Sequence, residues 1–268
     1  MPFSHTPTLF ALANGALTAN SPNGGTSGGS ARGANSVDLQ TSRISAGAVA
    51  SGQFSTVVGG YNNTAGGIGC VAGGFANGTT GLGGIALGYG IVLTGQYSAA
   101  FGAQCADRGR LGALTFASGS ISVSGDSQIG SFVVRGTSTS TAALRLTTDS
   151  GAANAANCIN ITDNSAFHVV VNLVGIDKTA SGGTFTGTTV GFLLSRATGA
   201  ASTTVTAPLV GPISSYYGGF GTGASFNSGN ASLTFAADTT NGGLNISVIP
   251  PNADTWHWVA RVTTVEVI

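Results

Sequence analysis

Between Arg43 and Asp107 no charged side chain interrupts the chain, and the small and hydrophobic positions there recur at a fixed step. Four copies of the unit G-x-x-(S/C/G)-x-(A/V)-x-G open at Gly52, Gly67, Gly81 and Gly95 and close at Gly59, Gly74, Gly88 and Gly102. The openings are 15, 14 and 14 residues apart, the first interval being longer by the doubled Gly59-Gly60. One copy is noise, whereas four in register are a repeat. Alternate residues of a strand point to opposite sides. One side collects Ser55 and Val57, Cys70 and Ala72, Gly84 and Ala86, Ser98 and Ala100, small enough for the inside of a narrow coil. The other collects Thr56 and Val58, Val71 and Gly73, Ile85 and Leu87, Ala99 and Phe101, which are larger and still largely apolar. The pattern predicts a short parallel β-roll over residues 46–112, each 14-residue coil adding about 4.8 Å of height. Its outer face cannot stay open to water without inviting association. The simplest cover is another copy of the chain around a cyclic axis. Val57, Val58, Val71, Ala72, Ile85, Leu87, Ala100 and Phe101 are therefore expected to form the core of the roll and its subunit contact.

Residues 113–268 change period. Runs such as "SFVVRG", "AFHVVVNLVGI", "TVGFLLSRA" and "TWHWVARVTTVEVI" are rich in β-branched residues and are separated by Gly, Asn, Asp, Ser and Thr. They predict an antiparallel β-sandwich. Two alternating runs flank Asn241-Gly242-Gly243, a hairpin signal. In the last strand Trp256, Trp258, Ala260 and Val262 share one side, and His257, Val259, Arg261 and Thr263 the other. The indole pair suits a core or a subunit interface. Stacking on the C–H face of a sugar is the second reading, and Trp256, Trp258, Tyr216 and Tyr217 are the candidate ligand-binding residues.

Residues 1–45 read as an attachment arm, "PTLFALANGAL", followed by the Gly/Ser linker "SPNGGTSGGSARG". Residues 1–30 are expected either to bind a neighbouring protein or to pack as an arm within the oligomer. The start lacks a basic segment followed by a continuous apolar one, so no secretory signal is expected and synthesis is placed in a cytoplasm. No apolar run is long enough to span a membrane as a helix.

Composition supports the all-β reading. The 268 residues include 44 Gly, and only 7% are charged, against about 25% in ordinary domains. Nine basic and nine acidic side chains balance and are scattered singly, so nothing suggests nucleic acid or an anionic membrane as partner. Three cysteines, Cys70, Cys105 and Cys158, make neither a disulfide scaffold nor a zinc spacing and read as small buried residues.

No catalytic constellation emerges. The acids stand beside turn residues, as Asp126, Asp149, Asp163 and Asp238 do, and suit turn or cap duty rather than paired acid–base work. The three histidines lie far apart, no G-x-S-x-G elbow occurs, and "GFGTG" at 219–223 lacks the lysine and helix of a phosphate loop. The sequons at Asn62 and Asn77 carry no meaning without a secretory route. Asp107, beside Arg108 and Arg110, could join its symmetry mates around an axis to hold a cation, with an ion-paired rim as the plainer reading. No cofactor, metal or enzyme activity is expected.

The repeat resembles the left-handed parallel β-roll of trimeric autotransporter adhesin heads, whose three chains pack around a three-fold axis. With "RGANSVDLQTSRISAGAVASG" before it and "SGDSQIGSFVVRGTSTSTAALRLTTDSG" after it, the chain from about Arg32 onward is similar to tail-fibre-like virion proteins of bacteriophages and prophages. The resemblance implies an all-β homotrimer in a virion, made in the host cytoplasm. It would dock through residues 1–30 and present residues 113–268 for adhesion to a host-surface glycan or protein. A purely structural neck, collar or baseplate piece is the alternative, and a glycan-degrading tailspike a third.

Overall fold

The structure, a computed structural model, describes residues 10–12, 14–179, 184–188, 191–206 and 232–268. Tyr216 and Tyr217 lie outside the described residues. The chain is all-β, and the one helical element among the described residues is the 3-10 turn Ala200–Ser202. It divides into two compact units, Met1–Gly109 with Ala113–Asp126, and Arg110–Gly112 with Ser127–Ile268.

The first unit contains β1 (Phe10–Ala11), β2 (Leu17–Thr18), β3 (Val37–Asp38), β4 (Thr56–Tyr61), β5 (Thr64–Ala65) and β6 (Val71–Phe75). It continues with β7 (Gly78–Thr79), β8 (Ile85–Tyr89), β9 (Val92–Leu93), β10 (Ala99–Ala103) and β11 (Leu114–Ser118). β4, β6, β8 and β10 stack in parallel, and the first three are each followed by a short strand of a second parallel stack, β5–β7–β9. The result is a solenoid-like coil of about four turns. The register equates Val71, Ile85, Ala99 and Leu114, one position per coil. The extra residue of the first repeat is absorbed as a β-bulge between Val57 and Gly60.

Size decides which side of each strand turns inward. Ser55, Val57, Cys70, Ala72, Ala86, Ser98 and Ala100 are buried, and the three cysteines are all buried and free. Successive coils lie so close that a Cβ on Gly74 would sit 2.1 Å from the carbonyl oxygen of Gly88, and one on Gly81 2.0 Å from that of Gly95. Only glycine fits there, which is why these positions punctuate the repeat.

A polar ladder runs up the inside of the coil. The Asn63 side-chain amide donates to the carbonyl of Gly74 at 2.8 Å, while its Oδ1 accepts from the backbone N–H of Asn77 at 3.0 Å. Asn77 repeats the pattern one coil on, donating to Gly88 O at 2.7 Å and accepting from Ile91 N at 3.0 Å. Below them Gln40 Oε1 accepts from Asn63 N at 2.7 Å. These buried amides satisfy backbone groups that the short strands leave open. Asn77 is buried, so its sequon is a structural device rather than a glycan acceptor.

The parallel stack extends past both ends expected for the roll. β2 pairs with β3 and β3 with β4, so residues read as arm and linker join the coil. The Gly/Ser segment folds because side chains bind its backbone. Arg43 donates to Ser27 O at 2.9 Å and Asn20 Nδ2 to the same oxygen at 3.0 Å. Asp38, Arg32 and Arg43 are buried together, with Arg32 Nε 2.6 Å from Asp38 Oδ2. Burial, which disfavours the charged form, lowers the Arg32 pKa from its ordinary value. At the other end β11 pairs in parallel with β10, five residues in register, although it lies in the range read as sandwich.

The second unit contains β12 (Ser127–Ser138), β13 (Leu144–Arg145), β14 (Ile159–Asn160), β15 (Ser165–Asp177) and β16 (Thr184–Thr188). It continues with β17 (Phe192–Arg196), β18 (Thr203–Thr206), β19 (Ser232–Asp238), β20 (Gly243–Ile249) and β21 (Trp256–Val267). β12–β21–β15–β17–β18 form an antiparallel sheet, with β16 also on β15. β20 carries β19 along one edge and β13 and β14 along the other. The β19–β20 hairpin turns at Asn241-Gly242, where Gly242 has φ +72 and its N–H bonds Asp238 O at 2.8 Å. Along β21 alternate residues are buried from Trp256 to Glu266. They pack with Phe132, Phe167, Val169, Val171 and Leu173, also buried, in the core of this unit.

Candidate functional site

The residues expected to cover one another between chains separate cleanly by side. Val57, Ala72 and Ala100 line the inside of the coil and are fully buried. Val58, Ile85 and Phe101 are exposed, and Val71 and Leu87 partly so. Parallel register builds their outward side chains into rows. One row is Thr56, Val71, Ile85, Ala99 and Leu114; beside it Val58, Leu87, Phe101 and Phe116 form a second. A third, which sequence reasoning missed, is an aromatic ladder. Tyr61 stacks on Phe75 with ring centroids 5.1 Å apart, and Phe75 on Tyr89 at 5.3 Å. The signal was in the repeat, since Tyr61, Phe75 and Tyr89 each stand one residue beyond a ladder glycine. Phe75, Tyr89, Leu114 and Phe116 are exposed as well. The face is thus wide, apolar and free of charge.

The indole pair is placed otherwise than a sugar platform requires. Trp256 and Trp258 are 0% and 2% exposed, so no ligand can lie on them as they stand. Their rings stack on each other, centroids 5.2 Å apart, and Phe185 meets Trp258 edge-on at 5.7 Å. Each indole N–H is satisfied within the chain, Trp256 by Asn252 Oδ1 at 2.8 Å and Trp258 by Ser138 Oγ at 2.9 Å. The side of β21 that the two indoles share is its buried side.

The acids serve the backbone. Asp126 accepts from the N–H groups of Ile121 and Val123, both at 2.8 Å; Asp149 from Gly151 N at 2.9 Å; Asp163 from Gly199 N at 2.9 Å. Asp107 is buried and accepts from Thr94 N and Gly95 N, each at 2.9 Å, which is cap duty in the last coil. Arg110, three residues on, pairs with Glu266. Among the described residues no group of three or more His, Cys, Asp or Glu gathers to hold a metal, and no helix is long and apolar enough to cross a membrane.

One cap titrates in an accessible range. Burial pushes the Asp238 carboxyl up, but N–H bonds from Asn241 and Arg145 outweigh it and hold the group at about 2. An unfolded Asp titrates near 3.9. Between those values the unfolded chain binds more protons, so the contribution of Asp238 is present above about pH 4 and lost as pH falls toward 2. Thermal unfolding followed from about pH 5 down to 2 should show a fall in Tm that is shallower in Asp238→Asn. Equal slopes for the two proteins would remove this role from Asp238.

Compared with known protein families and with curated proteins, the chain matches no family model and no relative.

Proposed function

We propose that the chain is a structural protein of a bacteriophage virion, a homotrimeric fibre or appendage held together by the apolar face of its coil. In this reading the coil is left-handed, as in adhesin heads, and the two sheets of the second unit close as a sandwich that meets the host surface. The observation that carries it is the charge-free outward face. Covering what remains exposed of its seven large side chains, Val58, Phe75, Ile85, Tyr89, Phe101, Leu114 and Phe116, would contribute roughly 1 kcal/mol each. That is comparable with the roughly 4–15 kcal/mol that association costs.

Light scattering tests the assembly directly. The chain weighs 26.1 kDa; the expected mass is three times that and independent of concentration. Ile85→Glu together with Phe101→Glu should return a monomer, because each substitution would bury a charge in every contact. A stable wild-type monomer would end the fibre reading. Docking through the N-terminus is tested by deleting residues 1–12, which spares β2. Particles assembled with this variant should lack the protein; if it still incorporates, residues 1–12 are not the docking segment.

The burial of Trp256 and Trp258 favours a second reading, a neck, collar or baseplate piece with no receptor. Purified protein should compete with particles for host cells if the adhesive reading holds. Unchanged adsorption would leave the structural one.

A further inference from the structure

We infer that the outward face of the β12–β21–β15 sheet is a docking surface for an acidic polysaccharide, one whose sugars carry carboxylates. The inference rests on the adhesive reading for the class of ligand and on the placement of charges for its sign.

The sequence balances nine acids against nine bases, but folding does not treat the two signs alike. Asp38, Asp107, Asp126, Asp177, Asp238 and Glu266 are all buried. Of the other three, Asp163 is paired with Arg196 at 2.6 Å, Asp254 is partly buried, and Asp149 is exposed. Asp149 already accepts from Gly151 N and Asn157 Nδ2. All nine acids lie among the described residues, so the inventory is complete. The bases stay outside more often, and Arg135, Arg261 and Lys178 are exposed.

Two of these cations share one face. Arg135 lies opposite Val259 and Arg261 opposite Val133, which makes the guanidiniums diagonal neighbours on paired strands, about 7–8 Å apart at Cα. Asn172 faces Arg261 from β15, and His257 lies four residues before Arg261 on β21. Neither guanidinium forms an ion pair or side-chain hydrogen bond among the described residues. Val133, Val259 and Val174 are exposed around them. The C–H faces of sugar rings fit such aliphatic ground, while planar guanidinium forks take carboxylates two-handed.

The alternatives fit less well. A second copy of the chain docked across a two-fold axis would set arginine against arginine, and the exposed side chains of Asp149 and Asp163 are already engaged within the chain. Single-stranded nucleic acid would need aromatic side chains on which its bases stack, and these three strands present no Phe, Tyr or Trp outward; duplex DNA, bound through its phosphates alone, is set against the polysaccharide in the test.

The test uses the full-length protein on sensor surfaces carrying polygalacturonate, neutral dextran or double-stranded DNA, at low ionic strength. Binding to polygalacturonate alone is expected, weakening with salt. Arg135→Ser together with Arg261→Ser should weaken it at least about tenfold with circular dichroism and solution mass unchanged, and the matching double lysine variant should retain part of it. The inference is overturned by absent polygalacturonate binding, by undiminished binding of the serine variant, or by DNA bound equally well. A changed solution mass in the serine variant also overturns it, since the face would then be covered by a sister chain. The adhesive reading fails separately. If wild-type protein binds polygalacturonate but never slows adsorption to host cells, the surface stands and the adhesive role falls. If the serine variant competes for cells as well as wild type does, the surface falls and adhesion stands.

Discussion

Arg110→Ala is expected to destabilise the second unit by about 3–5 kcal/mol. The Arg110 guanidinium meets both carboxylate oxygens of Glu266, at 2.9 and 3.1 Å, with both side chains out of water. Glu266 also accepts from Gln128 at 2.8 Å and Thr264 at 2.7 Å. Phe132 and Phe167 flank the guanidinium, 4.8 and 5.7 Å from ring centroid to cation. Burial alone would raise the Glu266 pKa; Arg110 and these hydrogen bonds reverse that and hold it below the ordinary carboxylate range. Removing the cation strands a buried anion, and that stranding is the source of the loss. Arg110→Met with Glu266→Leu removes both charges and should recover much of the stability, less the acceptor that Gln128 and Thr264 both lose. Denaturant unfolding followed by the fluorescence of Trp256 and Trp258 reads both variants. A single substitution costing under about 1 kcal/mol would show that the pair contributes no more than a surface ion pair does.

The second large effect is expected at Gly74. A methyl group there would meet the carbonyl oxygen of Gly88 at 2.1 Å, on backbone with φ +104 that side chains avoid. Backbone cannot swing aside as a side chain can, so the coils must part. Gly74→Ala should cost about 3 kcal/mol, conformational strain and overpacking together. Gly78→Ala is the internal control, because a Cβ there meets nothing within 4 Å and its φ is ordinary. Thermal melts by circular dichroism should separate the two. Coincident melts would show that the coils tolerate the methyl and that the close approach does not constrain the fold.

The coil was legible because its physics repeats. Four registers of small inward and apolar outward residues fix the strand faces, and the one irregular interval marked the bulge at Val57–Gly60. The hairpin at Asn241-Gly242 and the two sides of β21 followed from turn chemistry and alternation. What stayed hidden depends on pairings far apart in sequence. Arg110 and Glu266 are separated by 156 residues and carry no local signature. The amides of Asn63 and Asn77 occupy only two coils, and at that length a ladder looks like turn residues. The segment 21–33 has the composition of a linker, yet Arg43 and Asn20 organise its backbone from outside it. Alternation placed Trp256 and Trp258 together but could not say which side of the strand faced water.

The paired stacks of long and short strands also make the chain a ruler. Each coil bonds only to its two neighbours, so its contribution to height and to apolar face is nearly independent of how many others there are. Gain or loss of one 14-residue unit would lengthen or shorten the shaft by about 4.8 Å while leaving its cross-section unchanged. In the proposed homotrimer the same step would raise or lower the grip between chains by one side chain in each outward row. In that reading, reach and adhesion between sisters are graded together, in whole units, by duplication or deletion of a single short stretch of sequence.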